Sequence, residues 1–282
     1  MSYKIIGDSC LDLTEELKKD AHFQAFPLRL QVDDIQVTDD ETFDQKAFLE
    51  LVKASPNCPK TACPSPEAFK AACECEAEDV YIITLSSHLS GTYNSAALGK
   101  SLYEEEHGAG SKNILVIDSE SAASGELSLA LAIRDMYDAG LGFAEISEKI
   151  LRVRDEQNTY FVIDSLEPLR KNGRLTGLQA FFATALNIKP VMGADHGVII
   201  KLDQARGINK GLARMCEIAA KEAGNPAAKR AVISHCNCPE RAEQVKRELE
   251  KRAAFGEIVI TEAAGVTTVY AGDGGIVLAV CG

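Results

Sequence analysis

The strongest constraint on the fold is the regular alternation of short apolar runs and helical patterns in the first half of the chain. Apolar runs of strand length occur at Tyr3–Ile6, Phe26–Val32, Val80–Leu85 and Ile114–Ile117. Stretches with helical periodicity lie at Phe43–Ala54, Pro66–Cys75, Thr92–His107, Ser121–Ala139 and Phe143–Glu156. Because alternating strands and helices form βαβ units, we expect a mostly parallel sheet here.

The pattern changes after about residue 158. A strand is predicted at Tyr160–Ile163, followed by a short helix that ends at Leu169. Strands at Lys189–Met192 and Val198–Leu202 flank the hairpin sequence Gly193–Gly197, which makes the second sheet mixed. Later helices are predicted at Lys210–Glu222 and Arg241–Arg252, and later strands at Ala231–Ser234, Glu257–Thr261 and Ile276–Val280. The sequence therefore predicts two α/β domains, 1–158 and 159–282, with a ligand cleft between them.

Composition excludes several kinds of partner. The 282 residues carry a formal net charge of -12, which disfavours nucleic acid and anionic membranes. No apolar run approaches the roughly 18–20 residues of a membrane span, and Asp8 comes too early for a secretory signal. Nine cysteines without a disulfide-framework spacing favour a reducing cytoplasm. Cys73/Cys75 and Cys236/Cys238 are C-x-C pairs rather than common zinc spacings, so no metal or other cofactor is expected.

The first candidate for ligand binding is the polar segment Ser86–Ala96, which follows a buried strand. We expect Ser90 to be the N-cap of a helix, whose free N–H groups and dipole favour an anion. Gly91 lets a ligand approach the backbone closely. The alternative is a capped helix that binds nothing. Polar clusters after three strands, at 7–9, 86–87 and 118–119, are expected to meet at one edge of the sheet.

Three further segments carry candidate residues. Thr61 lies in an extended loop stiffened by prolines and can offer a hydroxyl group, although such a loop is more often structural. Arg174 follows Gly173, which is typical of a helix end, and is either a partner contact beside the cleft or a solvated base. The segment Val269–Gly275 contains Tyr270 and three glycines, which indicates either a close backbone approach or a turn.

Enzyme signatures are weak. The segment His107–Lys112 is superficially similar to a phosphate loop, but its Ser precedes its Lys and a strand follows. There is no G-x-G-x-x-G after the first strand and no G-x-S-x-G elbow. A hydrolase that uses Ser90 with His88 or His235 is one alternative, and it requires these residues to meet in space. A carrier or sensor of a non-lipid anion is another.

Six segments, taken in order, resemble the DegV family of bacterial fatty-acid-binding proteins, and together they extend over nearly the whole chain. They are Ile6–Leu13 (similar to D-S-[ST]-x-D-L), Phe26–Leu28 with Val32–Asp34, Thr61–Pro66 (T-S-Q-P-S-P), Ser86–Ala96 (S-S-x-L-S-G-T-Y-x-S-A), Leu166–Leu175 (L-x-x-L-x-x-x-G-R-I) and Leu186–Val191 (L-x-I-K-P-V).

The resemblance implies a non-enzymatic carrier with a long-chain fatty acid in an interdomain tunnel. Thr61 and Ser90 would hydrogen-bond the carboxylate, close to Gly91 and Tyr270. A separate kinase subunit would use ATP to phosphorylate that carboxylate, and the acyl phosphate would enter phospholipid synthesis. Arg174 would lie on the surface facing the kinase. A nucleotide motif is then not expected in this chain.

Two departures from the family pattern alter the expected head-group site. Ala62 and Cys63 stand where the family has Ser and Gln. Tyr270 stands where the family has the histidine of G-T-H-x-G-x-G. A phenol donates a hydrogen bond to a carboxylate but does not acquire charge near pH 7 as imidazole does. The ligand or its handling is therefore expected to differ from the family pattern.

Overall fold

The computed structural model describes residues 3–175 and 187–282. The strands in this part are β1 (Tyr3–Asp8), β2 (Phe23–Phe26), β3 (Arg29–Val32), β4 (Ile35–Thr38), β5 (Lys60–Ala62), β6 (Asp79–Thr84), β7 (Asn113–Asp118), β8 (Asn158–Val162), β9 (Ile188–Asp195), β10 (Val198–Arg206), β11 (Arg230–His235), β12 (Glu257–Glu262) and β13 (Ile276–Cys281). The α-helices are α1 (Gln45–Ala54), α2 (Pro66–Cys73), α3 (Thr92–His107), α4 (Ser124–Asp138), α5 (Phe143–Asp155), α6 (Glu167–Lys171), α7 (Ile208–Glu222), α8 (Pro239–Glu250) and α9 (Gly265–Ala271). Among these described helices, none has the length and apolar character needed to cross a membrane.

The first sheet is parallel, as predicted, with the strand order β2-β1-β6-β7. Its side chains alternate between two buried faces. Ile5 and Tyr81 join the core that contains α4 and α5, whereas Ile6 and Ile82 join the core that contains α2 and α3. Because both faces are covered by helices, the strands appear in the sequence as continuous apolar runs.

The helices α2 and α3 pack closely at Gly99. A Cβ atom there would lie 2.6 Å from the carbonyl oxygen of Pro66 and 2.7 Å from the Cβ of Phe69. Only glycine permits this approach without a shift of the backbone. Since α2 follows the Thr61 segment and α3 follows the Ser90 segment, this contact fixes the two segments relative to each other.

The second sheet is mixed, as predicted, with the order β10-β9-β8-β13-β11-β12. Its described strand pairs are antiparallel except β11 with β12. The predicted hairpin joins β9 to β10 through His196 and Gly197, whose φ angles of 44° and 80° suit a two-residue turn. α5 ends at Asp155 and β8 begins at Asn158, so we call 3–155 the N-terminal part and the remainder the C-terminal part. The division at 158/159 stays a prediction.

The expectation of a single strand at Phe26–Val32 is wrong. The chain leaves the first sheet after Phe26 and enters a separate antiparallel sheet, β4-β3-β5, at Arg29. Pro27 has no N–H to continue a ladder, and the N–H of Leu28 donates to the Oγ of Ser9 at 3.0 Å. The small sheet was not predicted, because its strands are only three or four residues long.

Other differences concern the ends of elements. α4 begins at Ser124 instead of Ser121, because Ala123 has a left-handed φ of 55°. α9, within which Tyr270 lies, was not predicted as a helix, since its seven residues are too few to show a period. Of the motif at 186–191, Leu186 lies outside the described residues, and the other five residues lie in or beside β9.

Candidate ligand-binding site

The polar ends of the parallel strands meet as predicted. Asp8, at the end of β1, accepts a hydrogen bond through Oδ2 from the N–H of Leu85 at 2.9 Å. Asp118, at the end of β7, accepts one through Oδ1 from the N–H of Ser87 at 3.1 Å. These two bonds fix the start of the segment Ser86–Ala96 against the edge of the sheet.

Ser90 is not the N-cap of α3, contrary to the prediction. The N–H groups of Leu89 and Ser90 both donate to the carbonyl of Ser86, at 2.9 and 3.1 Å, so a separate tight turn precedes the helix. Gly91 then occupies the N-cap position. The Oγ of Ser90 accepts a hydrogen bond from the N–H of Thr92 at 3.3 Å and lies 2.8 Å from the Oγ1 of that residue.

A cavity between the two parts of the chain adjoins this segment. Its unfilled volume is about 840 Å³, counted out to the open mouth. Its apolar lining includes Leu28, Leu85 and Leu89 from the N-terminal part and Phe161, Ile163, Leu169, Ile199, Val266 and Val277 from the C-terminal part. The cavity therefore suits a ligand with a substantial apolar portion.

Four of the predicted site residues, Thr61, Ser90, Arg174 and Tyr270, line this cavity, and we call them the polar corner. The Oγ1 of Thr61 lies 3.0 Å from the Oη of Tyr270. The Cζ of Arg174 lies 5.9 Å from the centroid of the Tyr270 ring, and its Nε donates to the carbonyl of Leu89 at 3.0 Å. The polar corner thus combines three hydroxyl groups with one positive charge, which are suitable donors for an anionic head group.

Two predicted site residues, Gly91 and Arg174, differ in their position relative to the cavity. Gly91 is exposed and is not among the cavity-lining residues; a Cβ there would meet only the Sγ of Cys63, at an ordinary 3.7 Å. Arg174 is half-buried at the cavity, just after Gly173, which has the φ of 76° expected at a helix end. A partner contact by Arg174 stays a prediction.

Sequence reasoning missed three lining hydroxyls, Ser121, Thr159 and Thr267. The first two lie 2.6 Å apart, and Thr267 donates to Oδ1 of Asp12 at 3.0 Å. Because each of these hydroxyl groups has a hydrogen-bond partner in the protein, they leave few unpaired polar groups facing the cavity. Thr267 lies three residues before Tyr270, so a helix prediction at α9 would have placed both on one face.

Four buried carboxyl groups lie in the core behind the cavity: Asp8, Asp12, Asp39 and Glu126. Burial raises the pKa of Asp8 and of Asp12 to about 7, and it raises the pKa of Asp39 as well. Burial and the neighbouring acids raise the pKa of Glu126 well above its usual value. Neither carboxyl oxygen of Glu126 has a hydrogen-bond partner in the described structure. Burial without hydrogen-bond partners therefore disfavours the charged form of Glu126.

Cys10 connects these acids to the cavity, which it lines. Its Sγ, one carboxyl oxygen of Asp8 and one carboxyl oxygen of Glu126 lie within 4.8 Å of one another. Burial, with the nearby acids, raises the pKa of the Cys10 thiol well above its usual value. The thiol is therefore not an activated nucleophile.

The structure does not bring Ser90 together with His88 or His235, as the hydrolase alternative requires. In residues 3–175 and 187–282, no histidine nitrogen is hydrogen-bonded to Ser90. His88 is exposed, and His235 is buried with its Nδ1 accepting from the N–H of Cys238 at 3.3 Å. Burial also lowers the pKa of His235. A Ser–His pair needs the two side chains within hydrogen-bond reach, and this requirement is not met here.

Known proteins similar to this chain are consistent with the site. Residues 2–281 match the family model described as "Uncharacterised protein, DegV family". A DegV domain-containing protein of Streptococcus pneumoniae R6 is 33% identical over 99% of this chain and 98% of its own length. A DegV family crystal structure from Ruminococcus gnavus, refined with vaccenic acid, is 46% identical over 99% of both chains, with a TM-score of 0.96. The Fak B3 (fatty acid kinase) protein of S. pneumoniae, loaded with linoleic acid, is 31% identical over 99% of this chain and 99% of its own, with a TM-score of 0.88. On this evidence, the chain belongs to the DegV family.

Proposed function

We propose that this protein is a non-enzymatic carrier of a long-chain fatty acid in the cytoplasm. The observation that carries the proposal is a largely apolar cavity lined in part by the polar corner, in a chain 46% identical to a structure refined with vaccenic acid. The apolar lining receives the acyl chain, and the polar corner receives the carboxylate. A small polar anion would leave most of the lining without a partner, which disfavours the non-lipid alternative.

Within the polar corner, Thr61 and Ser90 donate hydrogen bonds to the carboxylate. Tyr270 donates a third, since its Oη is 3.0 Å from the Oγ1 of Thr61 and a ligand oxygen can lie near both. Arg174 supplies the only positive charge among the described lining residues. Gly91 contributes no side chain, so its part is limited to backbone N–H at the start of α3.

Affinity and orientation are divided between the two ends of the ligand. Burying about sixteen carbons at roughly 0.8 kcal/mol each gives on the order of 12 kcal/mol before ordering costs. Each hydrogen bond to the charged head adds about 1.5–3 kcal/mol. The acyl chain therefore supplies most of the retention, and the polar corner sets where the carboxylate lies.

The carrier presents this carboxylate to a separate fatty acid kinase subunit, which forms the acyl phosphate for phospholipid synthesis. Support comes from the open mouth of the cavity and from the similarity to the S. pneumoniae Fak B3 protein. Arg174, half-buried at the cavity, is the residue we assign to the contact with the kinase.

The test compares a fatty acid with its methyl ester by displacement of a fluorescent fatty acid. The wild-type protein is expected to prefer the acid, and Thr61→Ala and Ser90→Ala are expected to remove this preference while retaining the lipid. A protein that binds neither compound, or that prefers a short polar acid, would refute the carrier. Arg174→Glu is expected to abolish acyl phosphate formation with a DegV-coupled kinase, and unchanged formation would remove Arg174 from the contact.

A further inference from the structure

α9 brings Tyr270 into the polar corner, and its first turn is held by a carboxylate from the N-terminal part. Asp39 directly follows β4 and is buried. Its Oδ1 accepts from the N–H of Gly265 at 2.6 Å, and its Oδ2 accepts from the N–H of Val266 at 2.8 Å. Both carboxylate oxygens of Asp39 are thus committed to the first two N–H groups of α9.

The close approach of Asp39 depends on a glycine. A Cβ at Gly265 would lie 2.6 Å from Oδ1 of Asp39 and 2.6 Å from Cδ1 of Leu30. Such distances require one of the groups to move. The absence of a side chain at Gly265 therefore leaves the space that the Asp39 carboxylate needs to reach the backbone of α9.

A second side chain holds the same helix from α1. The Nε2 of Gln45 donates to the carbonyl of Ala263 at 2.7 Å and to the Oγ1 of Thr268 at 3.1 Å. These contacts lie just before α9 and within it. Asp39 and Gln45 together restrict movement of α9 along its axis and away from the N-terminal part.

The sheet β4-β3-β5 connects the Asp39 contact with α9 to the polar corner. Asp39 directly follows β4, and Thr61 lies in β5 opposite Leu30 of β3. α9 therefore contacts the small sheet region at both ends, through Asp39 at its start and through the Tyr270–Thr61 contact near its end. A displacement of α9 at Asp39 is therefore expected to move the hydroxyl of Tyr270 relative to Thr61.

We propose that Asp39 and Gln45 are positioning residues that hold α9 so that Tyr270 stays against Thr61 and faces the head of the ligand. The ligand's identity rests on the proposed function, whereas the positioning of Tyr270 does not. The variant with the larger expected effect is Asp39→Asn. The NH₂ group of asparagine is a hydrogen-bond donor, and it would face one of the two backbone N–H groups, which is also a donor. Gln45→Ala is the milder variant, since it removes a half-buried side chain.

The experiment measures oleate affinity by displacement and the ¹⁹F resonance of Tyr270 in protein labelled with 3-fluorotyrosine. The resonance is assigned by its loss in Tyr270→Phe. Asp39→Asn is expected to weaken oleate binding about tenfold, and Gln45→Ala about threefold. Both variants are expected to shift the Tyr270 resonance, with or without ligand.

The matched control is Asp79→Asn. Asp79 also accepts hydrogen bonds through both oxygens, from Asn113 and from Tyr137, but it lies at the opposite end of β6 from the cavity. This substitution is expected to lower stability without shifting the Tyr270 resonance or the oleate affinity.

A double-mutant cycle separates positioning from general destabilisation. In the Tyr270→Phe background, Asp39→Asn is expected to change oleate affinity by less than about twofold. An equal loss in both backgrounds, or an unmoved Tyr270 resonance, would overturn the proposal. If Asp39→Asn does not fold, Gln45→Ala decides by the same criteria. A wild-type protein that binds no fatty acid would refute the carrier function, while the ¹⁹F shift would still test the positioning.

Discussion

Lowering the pH from about 8.0 to about 6.5 is expected to stabilise the ligand-free protein, because Asp8 and Asp12 are buried. Both have a pKa near 3.8 in the unfolded chain and about 7 in the folded protein. Between these values the folded state binds more protons, so stability rises as the pH falls. Each group contributes about 0.8 kcal/mol over this interval, or about 1.6 kcal/mol together.

Other titrating groups do not reverse this trend. The pKa of buried His235 is lowered, so its protonation in the unfolded chain opposes the gain by at most about 0.4 kcal/mol. Surface carboxylates with a depressed pKa, such as Glu248 at about 2, lose their contribution only in more acidic solution. Asp39 and Glu126, whose pKa values burial also raises, act in the same direction as Asp8 and Asp12, so the expected net gain is at least about 1.2 kcal/mol.

Asp12→Asn isolates one of the two groups. The Oδ1 of Asp12 accepts from the N–H of Ala264 and from Thr267, whereas Oδ2 has no hydrogen-bond partner in the described structure. Asparagine keeps the accepting oxygen and removes the titration, so about 0.8 kcal/mol of the pH-dependent gain should disappear. Asp44→Asn, at the exposed cap of α1, should retain the whole gain.

The assay is urea unfolding of the delipidated proteins at three pH values across the interval. A wild-type stability that is flat or falls toward pH 6.5, or a full gain in Asp12→Asn, would refute the reasoning about the buried acids.

Three further predictions concern single substitutions. Tyr270→Phe removes the hydroxyl beside Thr61 and should weaken fatty acid binding about tenfold without affecting the methyl ester, as displacement would show; equal losses would contradict it. Glu126→Gln should change the free energy of unfolding at pH 7 by less than about 1 kcal/mol, because an amide has nearly the shape of the protonated acid; a larger loss in urea unfolding would mean that the charge is needed. Gly99→Ala should destabilise by about 1–3 kcal/mol because it meets the backbone of α2, whereas Gly142→Ala, with nothing within 4 Å, should cost less than about 1 kcal/mol, the loss expected of Ala at the N-cap of α5; similar values in thermal unfolding would count against this packing.

Local patterns predicted most of the fold because its main elements are long and buried. The helix α3 was predicted with the observed bounds, and the parallel and mixed sheets followed from the order of strands and the hairpin at His196 and Gly197. The small sheet was not predicted, because its short strands are stabilised by contacts with α1 and α9 that are distant in sequence.

The position of the candidate site was predictable only where a residue had suitable chemistry and also lay in a family motif. Thr61, Ser90, Arg174 and Tyr270 stood in recognisable segments, and the structure places all four at one cavity. The hydrogen bonds of Asp39 to α9 could not be predicted, because they reach residues more than 200 positions away. A sequence shows which residues can accept a hydrogen bond, but only the fold shows which donors they meet.

We propose that the cavity holds a long-chain fatty acid with its carboxylate in the polar corner. Native mass spectrometry of protein purified from a bacterial host tests it most directly, because a bound lipid adds a defined mass to the intact chain. We expect one fatty acid per chain, released and identified after denaturation, and its exchange for added oleate. A protein that carries no fatty acid and takes up none would contradict the claim.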